Sequence, residues 1–305
     1  MSLTTATPGY TALREHAAWV DLSARGKIRM TGDDRARLLH AMTTQHIQAL
    51  KPGQGCYAFF LNAQGRIQAD ANVLCSEDHL LLDTEPEQRV KIYEHLDRYI
   101  IADDVTLEDV TDAVKTVALE GPEAAQVLAG LGAPVPEELW SHVAWGQGIV
   151  QRVPAGFRLF GEVPALTGVP EANEEEALTV RIEQGRARFG EEISDRYLVQ
   201  ETGLLHAIHF SKGCYLGQEI VERVRSRGQV HKQLRLVELD TPQVPAPGAK
   251  LTSGGAEAGE VVSAAFSPAW DKTIAMAYMR TPSADPGTAV ELDGASGRVR
   301  ALPQA

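Results

Sequence analysis

The densest run of chemically able side chains is Ser211-Lys212-Gly213-Cys214-Tyr215-Leu216-Gly217-Gln218-Glu219, where two glycines bracket a cysteine that follows closely on a lysine. Glycine permits backbone turns that other residues resist, and a nearby cation favours thiolate over thiol. Cys214 is therefore either a reactive, ligand-contacting thiol or a small apolar filler in a tight turn. His206, His209 and His231 flank it, so a metal site and a Cys–His nucleophile pair both have to be weighed. The spacing matches no standard zinc pattern, and nothing marks an oxyanion hole or an orienting acid. Neither a metal nor a thiol hydrolase is expected.

The same region is basic. Lys212, Arg223, Arg225, Arg227, Lys232 and Arg235 face only Glu219 and Glu222 in sequence, an island that could hold the carboxylates of an anionic ligand or a phosphate, or form an ordinary charged helix face. Two carboxylates stand out elsewhere. Asp70 lies in an apolar, strand-like run, and Glu183 sits in Arg181-Ile182-Glu183-Gln184-Gly185, where a glycine turn can aim it into a cavity. A carboxylate accepts two parallel hydrogen bonds, which suits a ring with adjacent N–H donors such as an aminopyrimidine. A surface position for Glu183 stays open.

These groups need elements to hold them. The chain has 305 residues, 44% hydrophobic and 23% charged, enough for a large core and two or three domains. Its formal charge of −12 argues against general attraction to nucleic acid or anionic membrane. No apolar run reaches membrane-spanning length, Arg14 and Glu15 interrupt the start where a signal peptide would be apolar, and Cys56, Cys75 and Cys214 are too scattered for disulfides. A cytoplasmic protein is expected, with Cys56 and Cys75 as buried fillers.

Along the chain, residues 27–30 predict a strand, and Asp33 or Asp34 predicts the cap of a helix with Leu38, Leu39, Met42 and Ile47 on one face. Residues 56–61 and 67–74 predict strands joined by the hairpin loop Asn62-Ala63-Gln64-Gly65, and 80–83 a third. Thr84-Glu85-Pro86-Glu87 predicts a capped helix start with Val90, Ile92, Tyr93 and Leu96 beneath it, and 105–110 a strand. A second unit follows: a strand at 115–120, a helix at 122–131, a hairpin from 148–153 and 157–161, and a helix at 174–184 behind the acidic run 171–176. Beyond Val230, strands at 233–239, 259–266, 273–279, 289–292 and 298–302 separated by Pro and Gly clusters predict a small barrel. The expected divisions are 1–113, an α+β unit; 114–229, a second α+β unit carrying the cysteine motif; and 230–305, all-β.

The motif Lys212-Gly213-Cys214-Tyr215-Leu216-Gly217-Gln218-Glu219 resembles the signature of the YgfZ-type folate-binding proteins, relatives of the aminomethyltransferase (T-protein) of the glycine cleavage system. The resemblance extends over 38–73, 181–190 and 259–280. It implies an α+β cloverleaf of three domains around a central folate cavity, with two ferredoxin-like units and a C-terminal β-barrel. It further implies tetrahydrofolate or a one-carbon derivative as ligand, Glu183 as pterin partner, Tyr57 and Asp70 near the folate, and Cys214 as key thiol bordering it. The basic island, with Lys212, Arg223, Arg225 or Arg227, would take the folate tail. The family's paired aspartates are reduced here to Ala69-Asp70, which tells against aminomethyl transfer. The implied role is support of iron–sulfur cluster assembly or repair, including in tRNA-modifying enzymes, with iron–sulfur proteins or their assembly factors as partners. Alternatives are a folate-dependent one-carbon transferase and a folate-gated module that docks protein or tRNA.

Overall fold

The computed structural model describes residues 5–162, 164–228 and 230–303. Helix α1 (Pro8–Glu15) and strand β1 (Ala18–Asp21) precede β2 (Gly26–Thr31), α2 (Arg35–Met42), β3 (Gly55–Leu61), β4 (Ile67–Cys75), β5 (Leu80–Thr84), α3 (Arg89–Asp97) and β6 (Thr106–Asp109). The five strands of the first sheet lie in the order β3-β4-β5-β2-β6, every neighbour antiparallel. Strand alternation sorts its residues. Cys56, Phe60, Ala69, Ala71, Val73 and Leu82 turn to one face, where α2 and α3 bring Leu38, Leu39, Ile92 and Leu96. Tyr57, Asp70, Asn72 and Asp83 therefore fall on the other.

The second unit comprises β7 (Thr116–Glu120), α4 (Ala124–Gly130), β8 (His142–Trp145), β9 (Gln147–Val153), β10 (Gly156–Glu162) and α5 (Glu174–Glu183). Its sheet runs β1-β7-β10-β9-β8, so the strand nearest the N-terminus pairs here rather than in the first sheet. Leu74 and Leu81 of the first sheet meet Phe160 of the second, closing the two units face to face. After α5 come α6 (Val199–Thr202) and α7 (Gln218–Arg227), and this segment packs Phe189, Ile193, Val199, Ala207 and Val221 onto Phe59 and Leu61 of the first sheet. Each Phe, Ile, Val or Leu side chain among them contributes about 1.5–3 kcal/mol when fully buried.

The C-terminal strands β11 (Lys232–Leu239), β12 (Lys250–Ser253), β13 (Ala256–Ser267), β14 (Lys272–Arg280), β15 (Ala289–Leu292) and β16 (Ala295–Arg300) close a barrel. The fold is thus α+β with two sheet-bearing units and a β-barrel.

Several local expectations need correction. Asp34 does not cap α2: its carboxylate accepts the Asp104 N–H at 3.0 Å and pairs with Arg37, and Ile47 falls in a separate short turn. Thr84 ends β5 with its hydroxyl donating to the Asp70 carbonyl at 2.6 Å, and Glu85, not Thr84, takes the cap position of the turn that follows. A turn of 3₁₀ helix at Pro86–Gln88 intervenes, α3 starts at Arg89, and Val90 is 62% exposed. Of the acidic run, Glu176 is buried and closes a capping box with Asn173. Strand β12 went unseen because it is only four residues long and directly follows the proline-rich loop.

Candidate functional site

All three units line a central cavity of about 1720 Å³. The β3–β4 hairpin supplies Tyr57, Asp70 and Asn72. The Tyr57 hydroxyl donates to Asp70 Oδ2 at 2.5 Å, a diagonal contact across the hairpin, where Tyr57 pairs with Asn72 and Phe59 with Asp70. Burial raises the Asp70 carboxyl to about 6; the Tyr57 bond, Arg25 and Arg158 pull it down, while Glu85 adds to the rise. Burial and the Asp70 charge push the Tyr57 hydroxyl well above its usual range.

Glu183, the last residue of α5, also lines the cavity and is 6% exposed. Its Oε1 accepts Tyr10 and Ser267 hydroxyls, each at 2.6 Å, and its Oε2 accepts Arg14. A carboxylate has about four acceptor positions, so one remains at Oε2, and a second opens if the partly exposed Arg14 swings aside. The turn that aims it carries Gly185 at φ 62°.

Sequence reasoning missed Trp140, and read His206 only as a ligand or base candidate. Both line the cavity, and the Trp140 ring lies nearly parallel to Tyr57 (centroids 5.9 Å, 18°) and to His206 (6.3 Å, 19°). Arginines that no motif marked stand nearby. Arg25 donates to Asp83 at 2.8 Å and to Glu85, Arg158 to Asp83, and Arg188 to Glu85 at 2.9 Å. Arg152 lines the cavity with no ion pair among the described residues.

The cysteine motif lies elsewhere. Lys212 donates from Nζ to the carbonyls of His40, Thr43 (2.6 Å) and Gln45 (2.9 Å), pinning the loop to the end of α2, so it is a tether rather than a lining group of the cavity. Gly217, at φ 86°, lets the loop meet the β3–β4 turn: a Cβ there would lie 2.5 Å from the Asn62 carbonyl oxygen. Cys214 is exposed and borders a separate outer groove of about 310 Å³ with Ala41, Met42, Tyr99, Tyr215 and Leu216. The structure therefore does not bring its thiol to the central cavity. Cys56 is buried, and its thiol is pushed up to about 12 by burial; Cys75 is half-buried. Arg223 and Arg225 project from α7, Arg225 against Glu222 and over the Phe210 ring, and neither lines the cavity. Arg227 lies on the same exposed helix end; of the basic island, Arg235 alone is among the cavity-lining residues. His40, His46 and His209 cluster by the motif with ring centroids 4.9 and 5.0 Å apart, yet among the described residues no group of His, Cys, Asp and Glu is arranged to hold a metal ion. No helix among them is long and apolar enough to cross a membrane.

Known families place this architecture. Residues 5–157 match the family described as the GCVT N-terminal domain, and 232–304 match the glycine cleavage T-protein C-terminal barrel domain. A chloroplastic Arabidopsis thaliana protein, provisionally named a transferase, is 28% identical over 93% of this chain and 70% of its own length. An aminomethyltransferase of Streptomyces coelicolor is 30% identical, covering 92% of this chain and 82% of that one. Among solved structures, the glycine cleavage system aminomethyltransferase T from Bartonella henselae superposes with a TM-score of 0.87 at 22% identity, over 98% of this chain and 90% of that chain, a likeness of fold.

Proposed function

This chain belongs to the glycine cleavage T-protein family, and from that premise we propose that it binds tetrahydrofolate, or a one-carbon derivative, in the central cavity. We further propose that it acts as an accessory protein in assembly or repair of iron–sulfur clusters, including those of tRNA-modifying enzymes. The observation that carries the folate reading is that Glu183 and the Tyr57–Asp70 pair, buried carboxylates on two different units, face one cavity. The residues fit the ligand. Glu183 keeps one open acceptor position, at Oε2, for a ring N–H donor, and Arg152, which lies over the Phe157 ring with no ion pair among the described residues, can meet a tail carboxylate in place of Arg223, Arg225 and Lys212. The accessory reading draws on the motif resemblance and on Cys214, exposed on an outer face where a client protein can reach it. Any tRNA contact would fall to the arginines of α7.

Titrating tetrahydrofolate into the wild type, Glu183→Ala and the double variant Arg223→Ala/Arg225→Ala tests the folate reading. Saturable binding is expected for the wild type and double variant, and a loss of about tenfold or more for Glu183→Ala, since a hydrogen bond to a charged group contributes roughly 1.5–3 kcal/mol. No binding by the wild type would end it. Restoration of cluster-enzyme activity in deficient cells by wild type but not Cys214→Ala tests the accessory half.

One observation favours a second reading, one-carbon transfer. Asp70, with its carboxyl at about 6 and facing the same cavity, is suited to orient or deprotonate a substrate amine. The aminomethyltransferase relatives agree with it. Turnover with an aminomethyl donor, lost in Asp70→Asn, would decide for it.

A further inference from the structure

The cavity wall beside Asp70 is built from ring faces, and its central member is held at a cost in backbone strain. Trp140 has a φ of 68°, a left-handed conformation that bulky side chains rarely adopt. Such strain persists where the surroundings over-determine it, and it concentrates at ligand clamps. Here the Trp140 N–H donates to the Arg152 carbonyl at 2.9 Å, the His142 N–H donates to the Gly53 carbonyl at 2.8 Å, and the His142 ring meets the Cys75 carbonyl at 2.9 Å. The approach is so close that a Cβ on Gly55 would lie 2.6 Å from the Trp140 carbonyl oxygen. The second unit is thus stitched to the first at this residue.

Core packing does not explain the side chain. Trp19, Trp145 and Trp270 pack against apolar clusters, whereas Trp140 is in none of those formed by the described residues. Its ring instead parallels Tyr57 and His206, which stand 5.9 Å from each other, and all three face the cavity.

We propose that Trp140, backed by Tyr57 and His206, is a stacking platform for a second flat ring of the ligand, the aminobenzoyl ring of a folate. It then decides whether a ligand must carry that ring. This rests on the folate reading above, and extends it from the pteridine to the rest of the molecule. Glu183 is bedded against α1 and the barrel, where hydrogen bonds suit a donor-rich heterocycle; the ring faces lie on the first and second units, where they suit an apolar ring. Arg152, tied through its carbonyl to Trp140, stands on the same cavity for the carboxylate that follows such a ring.

Calorimetric titration of 5-formyltetrahydrofolate and of tetrahydrobiopterin, which lacks the aminobenzoyl group, separates the outcomes. Trp140→Leu is expected to weaken the folate about tenfold, the factor that roughly 1.4 kcal/mol commands, while Trp140→Phe stays within about threefold of the wild type. Both variants should leave the pterin unchanged. If Trp140→Leu fails to fold, His206→Ala replaces it with the same expected pattern in milder form. A Trp140→Leu variant (or its His206→Ala substitute) that binds the folate as tightly as the wild type, or loses both ligands alike, overturns the platform and leaves the folate reading standing. A wild type that binds neither ligand overturns both.

Discussion

Replacing Asp70 by asparagine should stabilise the protein at neutral pH, and the gain should vanish in acid. The native carboxyl titrates near 6 against an ordinary value of 3.8. Between those values the folded protein retains a proton that the unfolded chain has released, so stability falls as pH rises through the window and levels off above it. A shift of roughly two units is worth about 3 kcal/mol, since each unit corresponds to 1.36 kcal/mol. Asparagine keeps an oxygen that accepts the Tyr57 hydroxyl while removing the charge. With roughly 2.1 cal/mol/K of unfolding entropy per residue, a chain of 305 residues that melts as one unit should gain about 5 °C. Differential scanning calorimetry of wild type and Asp70→Asn from pH 4 to 8 is the assay. The melting temperatures should coincide near pH 4 and separate progressively to pH 7. A difference that does not change with pH would refute the reasoning, because it could not come from charging the Asp70 carboxyl.

Cys214 should react first with a thiol reagent in the native protein, with Cys56 silent, and saturating tetrahydrofolate should leave the Cys214 rate unchanged because the thiol borders the outer groove; protection by the ligand would place the two sites in contact. Gly217→Ala should destabilise the protein by about 1–3 kcal/mol or more, through both its φ of 86° and its clash with the Asn62 carbonyl, and so lower the melting temperature. Gly228→Ala, with a φ of 63° but open space around it, should cost only the smaller backbone part, so equal losses in thermal melts would contradict the packing argument.

Where residues were ordered by alternation, the sequence was readable. Period two along β4 puts Ala69, Ala71 and Val73 into the core and leaves Asp70 and Asn72 facing the cavity, and the Asn62–Gly65 loop fixes the hairpin that brings Tyr57 to Asp70. What escaped were features set by distant partners. Thr84 has the chemistry of a cap, but pairing with the neighbouring strand makes it the last residue of β5, and the helical turn starts one residue later than a Thr84 cap would place it. Helix α7 buries Val221 fully, and its arginines read as ligand contacts when they are solvated. Trp140 lies in an aperiodic segment whose position depends on Gly53, Gly55 and Cys75 far behind it in sequence. The one local signal was a tryptophan amid acidic and polar residues, where no apolar face asks for it.

The pairing of the cavity's charges explains why Asp70 in particular is left for a ligand. Arg25 commits its guanidinium to Asp83 and Glu85, Arg158 reaches Asp83 from the second unit, and Arg188 takes the other oxygen of Glu85. Arg188 also pairs with Glu191, which shares Arg181 with Glu192, and Glu192 accepts the Ser263 hydroxyl from the barrel. This chain of ion pairs joins the first two units, and the Ser263 hydrogen bond ties it to the barrel. Breaking one member would strand its partners, a loss of about 3–5 kcal/mol for a buried pair, so the arginines are held where they are. Asp70 stands among them with Tyr57 as its hydrogen-bond donor and no arginine bonded to its carboxylate. Burial raises the Asp70 carboxyl, and because Asp83 and Glu85 engage the neighbouring guanidinium groups, it stays open to a ligand. A bound amine or ring N–H would supply what is missing, and its binding should draw the Asp70 carboxyl back down and release a proton below pH 6.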